Sequence, residues 1–74
     1  MLSKEQSARV DTLTKERDEL IEKLTNLNSF VYSGKVASLS DKARFLLLEQ
    51  RATMEYYVKL LNKRIAQFIT ECVG

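Results

Sequence analysis

The stretch that decides the fold is Ser40–Cys72, which reads SDKARFLLLEQRATMEYYVKLLNKRIAQFITEC. Its apolar side chains recur every three, four or seven residues, at Leu47, Met54, Val58, Leu61, Ile65, Phe68 and Cys72. Because an α-helix turns by about 100° per residue, these positions form one stripe along a single long helix. Such a stripe needs a partner along its whole length. We expect the first half of the chain to supply it.

That first half carries a matching apolar stripe. Its residues are spaced by three and four in a heptad a/d register, at Val10, Leu13, Leu20, Leu24, Leu27 and Val31. Ser3 is suited to be the N-cap, and Gln6, three residues further on, completes a capping box. The sequence therefore predicts a first helix over residues 3–32.

Arg17 occupies one slot of this first stripe, between Leu13 and Leu20. One interpretation is a long stem lying along the apolar face, with the guanidinium group in water. The other is a buried polar group that fixes the register or the number of chains in an assembly. The sequence leaves both interpretations open.

The two stripes are separated by a short break. Gly34 lies where the end of a helix favours a residue with positive φ. Ser40 is suited to be the N-cap of the next helix, with Asp41 at the positive end of its dipole. We therefore predict a turn over residues 33–39 and a second helix over residues 40–72. A connection this short makes the helices antiparallel neighbours in one hairpin domain covering residues 1–74.

The composition agrees with an all-α, coiled-coil-like hairpin, since the 74 residues include no proline and only two glycines. Two helices of this length enclose a marginal core. The second helix also carries a further apolar line, projecting roughly opposite its main stripe. We expect hairpins to assemble into a homo-oligomeric helical bundle, and the predicted interface residues are Phe45, Leu48, Ala52, Tyr56 and Gln50.

Several chemistries are disfavoured by the residues present. The chain has no histidine and one cysteine, so it lacks the usual general base and the ligands of a common zinc site. Twelve basic and ten acidic residues are well mixed, which does not predict a nucleic-acid or membrane surface. The longest apolar run, Phe45 to Leu48, is too short to span a bilayer. We expect no catalytic residue, metal or cofactor.

One flank of the second helix carries polar side chains at intervals of seven, namely Gln50, Tyr57 and Arg64. They are interpreted as half-hydrated boundary residues, as a polar line between subunits, or as the lining of a ligand groove. Cations and tyrosines brought together at a symmetric interface can hold phosphates and stack a base. The candidate ligand-binding residues are Tyr57 and Arg64 first, then Arg51, Tyr56 and Lys59.

The pattern of the second half resembles a family of small phage proteins. It contains F-x(4)-K from Phe30 to Lys35, then Leu39-Ser40, then L-x(2)-Q-x(3)-M-x(2)-Y-x(3)-L-x(2)-R-I from Leu47 to Ile65. This is similar to small uncharacterised helical-hairpin proteins of bacteriophages, including those of crAss-like phages, over about residues 13 to 68. The resemblance implies a phage protein acting in the host cytoplasm. A similarity in role to phage anti-defence nucleotide sponges is an analogy.

Three functional hypotheses follow. The first is an oligomeric protein that sequesters an anionic nucleotide signal, such as a cyclic nucleotide or a related immune second messenger, to counter host defence. The second is a protein-interaction module that docks on a host or phage protein to inhibit or scaffold it. The third is a nucleic-acid-binding accessory factor, which would be retained on DNA or RNA in a salt-sensitive manner.

Overall fold

The computed structural model describes the backbone of residues 3–73 and the side chains of residues 3–70. Helix α1 spans Lys4–Tyr32, a short 3-10 turn spans Lys35–Ser38, and helix α2 spans Asp41–Val73. The two helices pack antiparallel in a hairpin measuring 52 × 15 × 14 Å, and the part of the chain described contains no strand. The prediction of an all-α helical hairpin is confirmed.

Both helix starts are fixed by serine caps that the sequence predicted. The Gln6 backbone N–H donates to Ser3 Oγ at 3.1 Å, and the Ser3 N–H donates to Gln6 Oε1 at 2.8 Å, which completes the capping box. At the second helix, the Ala43 N–H donates to Ser40 Oγ at 3.2 Å. Each cap satisfies a backbone donor that the first turn of a helix leaves free.

The turn depends on one backbone conformation. Gly34 has φ 84°, in the left-handed region that side chains other than glycine's rarely adopt. The Ser33 hydroxyl donates to the Phe30 carbonyl at 2.7 Å and closes the end of α1. Between Gly34 and α2, the chain makes the 3-10 turn, which the sequence analysis did not anticipate.

The interior of the single hairpin is very small. The predicted stripe of α1 is only half-buried, and among the described side chains only Leu61 and Ile65 are buried apolar residues. The accessible surface is 5692 Å², against about 4,650 Å² for a compact monomer of this mass. The radius of gyration of 16.5 Å likewise exceeds the roughly 11 Å of a compact chain of this length. The stripe position Cys72 lies outside the described side chains.

We call the α2 surface that carries Phe45, Leu48, Ala52 and Tyr56 the outer face. Three of its side chains are large and exposed: Phe45 at 62%, Leu48 at 45% and Tyr56 at 67%. Counted at about 100° per residue, the outer face lies opposite the stripe that packs on α1. The hairpin therefore has a second apolar surface that α1 does not cover, and the interface role of these residues stays a prediction.

Candidate functional site

Two polar contacts join the helices near the middle of the hairpin. The Tyr57 hydroxyl donates to the Glu16 carboxylate. One turn further along α2, Arg17 Nη1 donates to Asn62 Oδ1 at 3.1 Å. Counted at about 100° per residue, Tyr57 and Asn62 lie on opposite sides of the apolar stripe of α2, so the two contacts fix the register of α1 against α2 from both sides.

Arg17 is not a buried polar group in the single hairpin. Its side chain is 29% exposed, and its guanidinium also pairs with Asp18 at 3.1 Å. No polar or charged residue of the described part is buried. The structure therefore favours the interpretation in which the stem of Arg17 follows the apolar face and the charge stays at the edge.

The Tyr57 phenol lies between a negative and a positive side chain, which shift its pKa in opposite directions. Its hydrogen bond to Glu16 raises its pKa above the usual value of 10.0, partial desolvation and the Glu16 charge raise it further, and the Arg64 charge opposes this shift. The phenol is thus held protonated as a donor. Arg64 is close enough for its field to be felt there.

Arg64 also lies at the centre of a groove beyond Tyr57, between the first turns of α1 and the last third of α2. We call it the Arg64 groove. Two adjoining hollows of about 450 Å³ and 310 Å³ share Leu13, Arg64 and Phe68. Within the described part of the chain, the lining is Arg9, Thr12, Leu13, Lys63, Arg64, Gln67 and Phe68. Each hollow falls within the roughly 300–1,000 Å³ typical of small-molecule sites.

The Arg64 groove is positively charged. Among the described side chains, its lining contains the cations of Arg9, Lys63 and Arg64 and no carboxylate. Arg9 pairs with Glu5 at 3.2 Å across an exposed helical turn. Within the described side chains, Lys63 and Arg64 make no ion pair. Two cations beside the apolar side chains of Leu13 and Phe68 suit an anionic ligand that also has an apolar or aromatic part.

The structure brings together only part of the predicted ligand-binding set. Tyr57 and Arg64, seven residues apart, lie on the same flank of α2 and share an electrostatic environment. Tyr56 and Lys59 are exposed on the side of α2 turned away from α1. In a single chain, the predicted ligand-binding residues therefore do not all lie at one site.

The side chains of Arg51 and Gln50 already contact other residues of α2 and α1. Arg51 Nε lies 3.7 Å from Glu55 Oε1, and its guanidinium lies 5.9 Å from the centre of the Tyr32 ring. Gln50 Nε2 approaches Met54 Sδ at 3.9 Å. These contacts are far along α2 from the Arg64 groove, so the predicted polar line of Gln50, Tyr57 and Arg64 is not one continuous groove.

Most of the groove lining was not predicted from the sequence. The sequence pattern placed Leu13 and Phe68 in the apolar stripes and gave no role to Arg9 or Lys63. The available signal was the i,i+4 pair Arg64–Phe68, which places a cation and a ring on one edge of α2. What aligns them with Arg9 and Leu13 is the register of the hairpin, which the sequence alone does not fix.

Two further features of the described residues bear on the site. No group of three or more acidic, cysteine or histidine side chains within the described residues is placed to bind a metal ion. Neither helix, over the residues described, is long and apolar enough to cross a membrane.

The fold and groove together define a small helical hairpin with a cationic, partly apolar groove at its open end. The chain belongs to the Sequestin family, whose model matches residues 7–67. The family name denotes sequestration.

A related phage protein supports the same assignment. The chain is 42% identical over 53 residues to an uncharacterized 7.5 kDa protein from the denB-rIIB intergenic region of Enterobacteria phage T4. The alignment covers 72% of this chain and 83% of that protein. No solved structure matches the chain. The resemblance to small phage proteins is confirmed, and the link to crAss-like phages stays a prediction.

Proposed function

We propose that this protein is a phage-encoded sequestering protein that binds an anionic nucleotide signal in the host cytoplasm and holds it without turning it over. The single observation that carries the proposal is the Arg64 groove. The family name supports a sequestering role, and the phage relative supports a phage origin. A cyclic nucleotide or a related immune second messenger has the required charge and size.

The groove offers a separate contact for each part of such a ligand. The Arg64 guanidinium can pair with a phosphate through two parallel N–H donors, and Lys63 adds a second positive charge. The Phe68 ring supplies an apolar surface on which a base can stack, a contact worth about 1–3 kcal/mol per base in other proteins. The described side chains that line the groove include no histidine and no carboxylate, which supports binding without turnover.

Calorimetry on the whole chain tests this proposal. The ligands are a panel of cyclic dinucleotides, cyclic trinucleotides and ADP-ribose derivatives. We expect one of them to bind with a saturable isotherm, and chromatography of the heat-denatured complex to recover that ligand unchanged. Absence of binding across the panel, or recovery of a cleaved ligand, would contradict the proposal.

A matched pair of arginine variants locates the site. Arg64→Gln is expected to weaken binding by about 10-fold or more, since a charge-assisted hydrogen bond contributes roughly 1.5–3 kcal/mol. Arg44→Gln is the control, because Arg44 pairs with Asp41 at the start of α2, away from the groove. Equal effects of the two substitutions would place the ligand elsewhere.

A second candidate function follows from the outer face. The exposed Phe45, Leu48 and Tyr56 side chains would also suit a docking surface for a host or phage protein that the hairpin inhibits or scaffolds. A pull-down from host lysate separates the two functions. A nucleotide-sequestering protein should recover no stoichiometric protein partner. A docking module should recover one, and the Tyr56→Gln variant should lose it.

A further inference from the structure

The outer face of α2 is too apolar to remain in water. The exposed parts of the Phe45 and Tyr56 rings alone amount to about 250 Å² if a whole aromatic side chain contributes about 200 Å². Leu48 and Ala52 lie between them and join the two rings into one patch. Patches of a few hundred Å² on small proteins mark interaction sites.

The size of the uncovered surface matches what one further copy of the chain would bury. The accessible surface of 5692 Å² exceeds the compact expectation of about 4,650 Å² by about 1,000 Å². A standard stable interface removes about 800 Å² from each partner. One standard interface, made by the outer face and the residues around it, would therefore lower the accessible surface of each chain to about the value expected of a compact folded protein.

The charges along α2 determine the direction in which two outer faces can meet. Residues 41–55 carry three acidic and three basic side chains, whereas residues 56–70 carry three basic and no acidic side chains. Parallel packing would set the two basic segments side by side, with Lys59 of each copy facing its own counterpart. Antiparallel packing separates the basic segments to opposite ends of the pair.

The antiparallel arrangement also makes the patch complementary to itself. Phe45, Leu48, Ala52 and Tyr56 are centred between residues 50 and 51, so a two-fold axis there sets Phe45 of one copy level with Tyr56 of the other. The same register sets Lys59 level with Lys42 and one residue from Asp41. At about 100° per residue, Asp41 lies on the same side of α2 as the outer face, whereas Lys42 is turned towards its edge. The acidic side chain is therefore the one that faces Lys59 at each end of the contact.

We propose that two copies of the chain pair through their outer faces with the α2 helices antiparallel, about a two-fold axis between residues 50 and 51. This is an isologous interface, in which each chain contributes the same surface. It leaves the Arg64 groove of each copy at opposite ends of the pair. The inference does not depend on the identity of a ligand.

Spin-label distances by pulsed electron paramagnetic resonance test the arrangement on the full chain. Single labels are placed by Ala66→Cys and Thr70→Cys in a Cys72→Ser background, since Cys72 is the only cysteine. Both positions lie on the side of α2 that bears the outer face. At 1.5 Å rise per residue, the antiparallel pair predicts axial separations of about 46 Å and about 58 Å. A parallel pair predicts roughly 10–20 Å at both positions, which would overturn the inference.

Sedimentation with two matched tyrosine variants tests the surface itself. We expect the 8.5 kDa chain to sediment as a dimer, and Tyr56→Gln to weaken dimerisation by on the order of 100-fold. Tyr32→Gln is the control, because this tyrosine is 78% exposed but lies on α1. A folded wild-type monomer at micromolar concentration, or equal loss from both variants, would overturn the inference.

A concentration series followed by circular dichroism covers the case in which Tyr56→Gln loses helix. A defect in pairing is recovered at higher protein concentration, since assembly stabilises the fold by mass action. A variant that stays unfolded at every concentration, while Tyr32→Gln folds, would instead show that Tyr56 supports the hairpin itself. That result would also count against the inference.

Discussion

Replacing Leu61 by alanine tests where the stability of the hairpin comes from. Leu61 is the one fully buried side chain of the described part, at 0% exposure, whereas its neighbour Leu60 is 40% exposed. Truncation of Leu61 removes the transfer energy of about three methylene-sized groups and leaves a cavity, at a cost of about 3 kcal/mol. The same truncation at Leu60 removes groups that are partly in water and opens no closed cavity, so we expect about 1 kcal/mol.

Urea unfolding followed by circular dichroism at one fixed protein concentration measures both effects. A domain this small has roughly 3–5 kcal/mol of total stability. We therefore expect Leu61→Ala to be largely unfolded at 25 °C, and Leu60→Ala to keep a cooperative transition with a lower midpoint. Equal costs for the two variants would refute the reasoning, because the pair differs only in burial within the hairpin.

Two further predictions concern the turn and the Tyr57 contact. Gly34→Ala should destabilise the hairpin by about 1 kcal/mol in the same urea assay, because φ is positive at this position. The added Cβ would meet no atom within 4 Å, so the cost comes from the backbone alone. An unchanged free energy of unfolding would contradict this argument. The pKa of Tyr57 is higher in the folded chain than in the unfolded chain. Its stabilising contribution is therefore complete at pH values below the unfolded-state pKa of about 10, and it is lost as the pH rises through the folded-state pKa. Raising the pH from 8 to 11 should thus lower the urea midpoint of the wild type more than that of Tyr57→Phe, and equal changes would show that the phenol is not linked to folding.

The helices and the turn could be predicted because their determinants are local. A capping residue such as Ser3 or Ser40 acts on backbone groups within one turn, and Gly34 marks the end of α1 by its own backbone freedom. The apolar periodicity then requires the two helices to face each other. These are short-range rules that a single sequence displays directly.

The groove could be predicted only in part, because its residues come from both helices. Tyr57 and Arg64 were predicted as a pair since they repeat along one helix flank. Arg9 and Leu13 join Arg64 through the hairpin register, which depends on packing and on contacts such as that of Tyr57 with Glu16. Arg51 looked available for a ligand in the sequence, but in the structure it interacts with Glu55 and Tyr32.

The described part of the hairpin buries only two apolar side chains, Leu61 and Ile65, and this small core has a consequence for the amount of protein that must be present. Under the proposed pairing, the folded fraction of the chain rises with its own abundance, so dilution acts on it as a denaturant. Scarce copies would be open to proteolysis, whereas plentiful ones would protect each other. The proposed sequestering function requires the protein to be produced in quantity, and the same quantity would keep it intact.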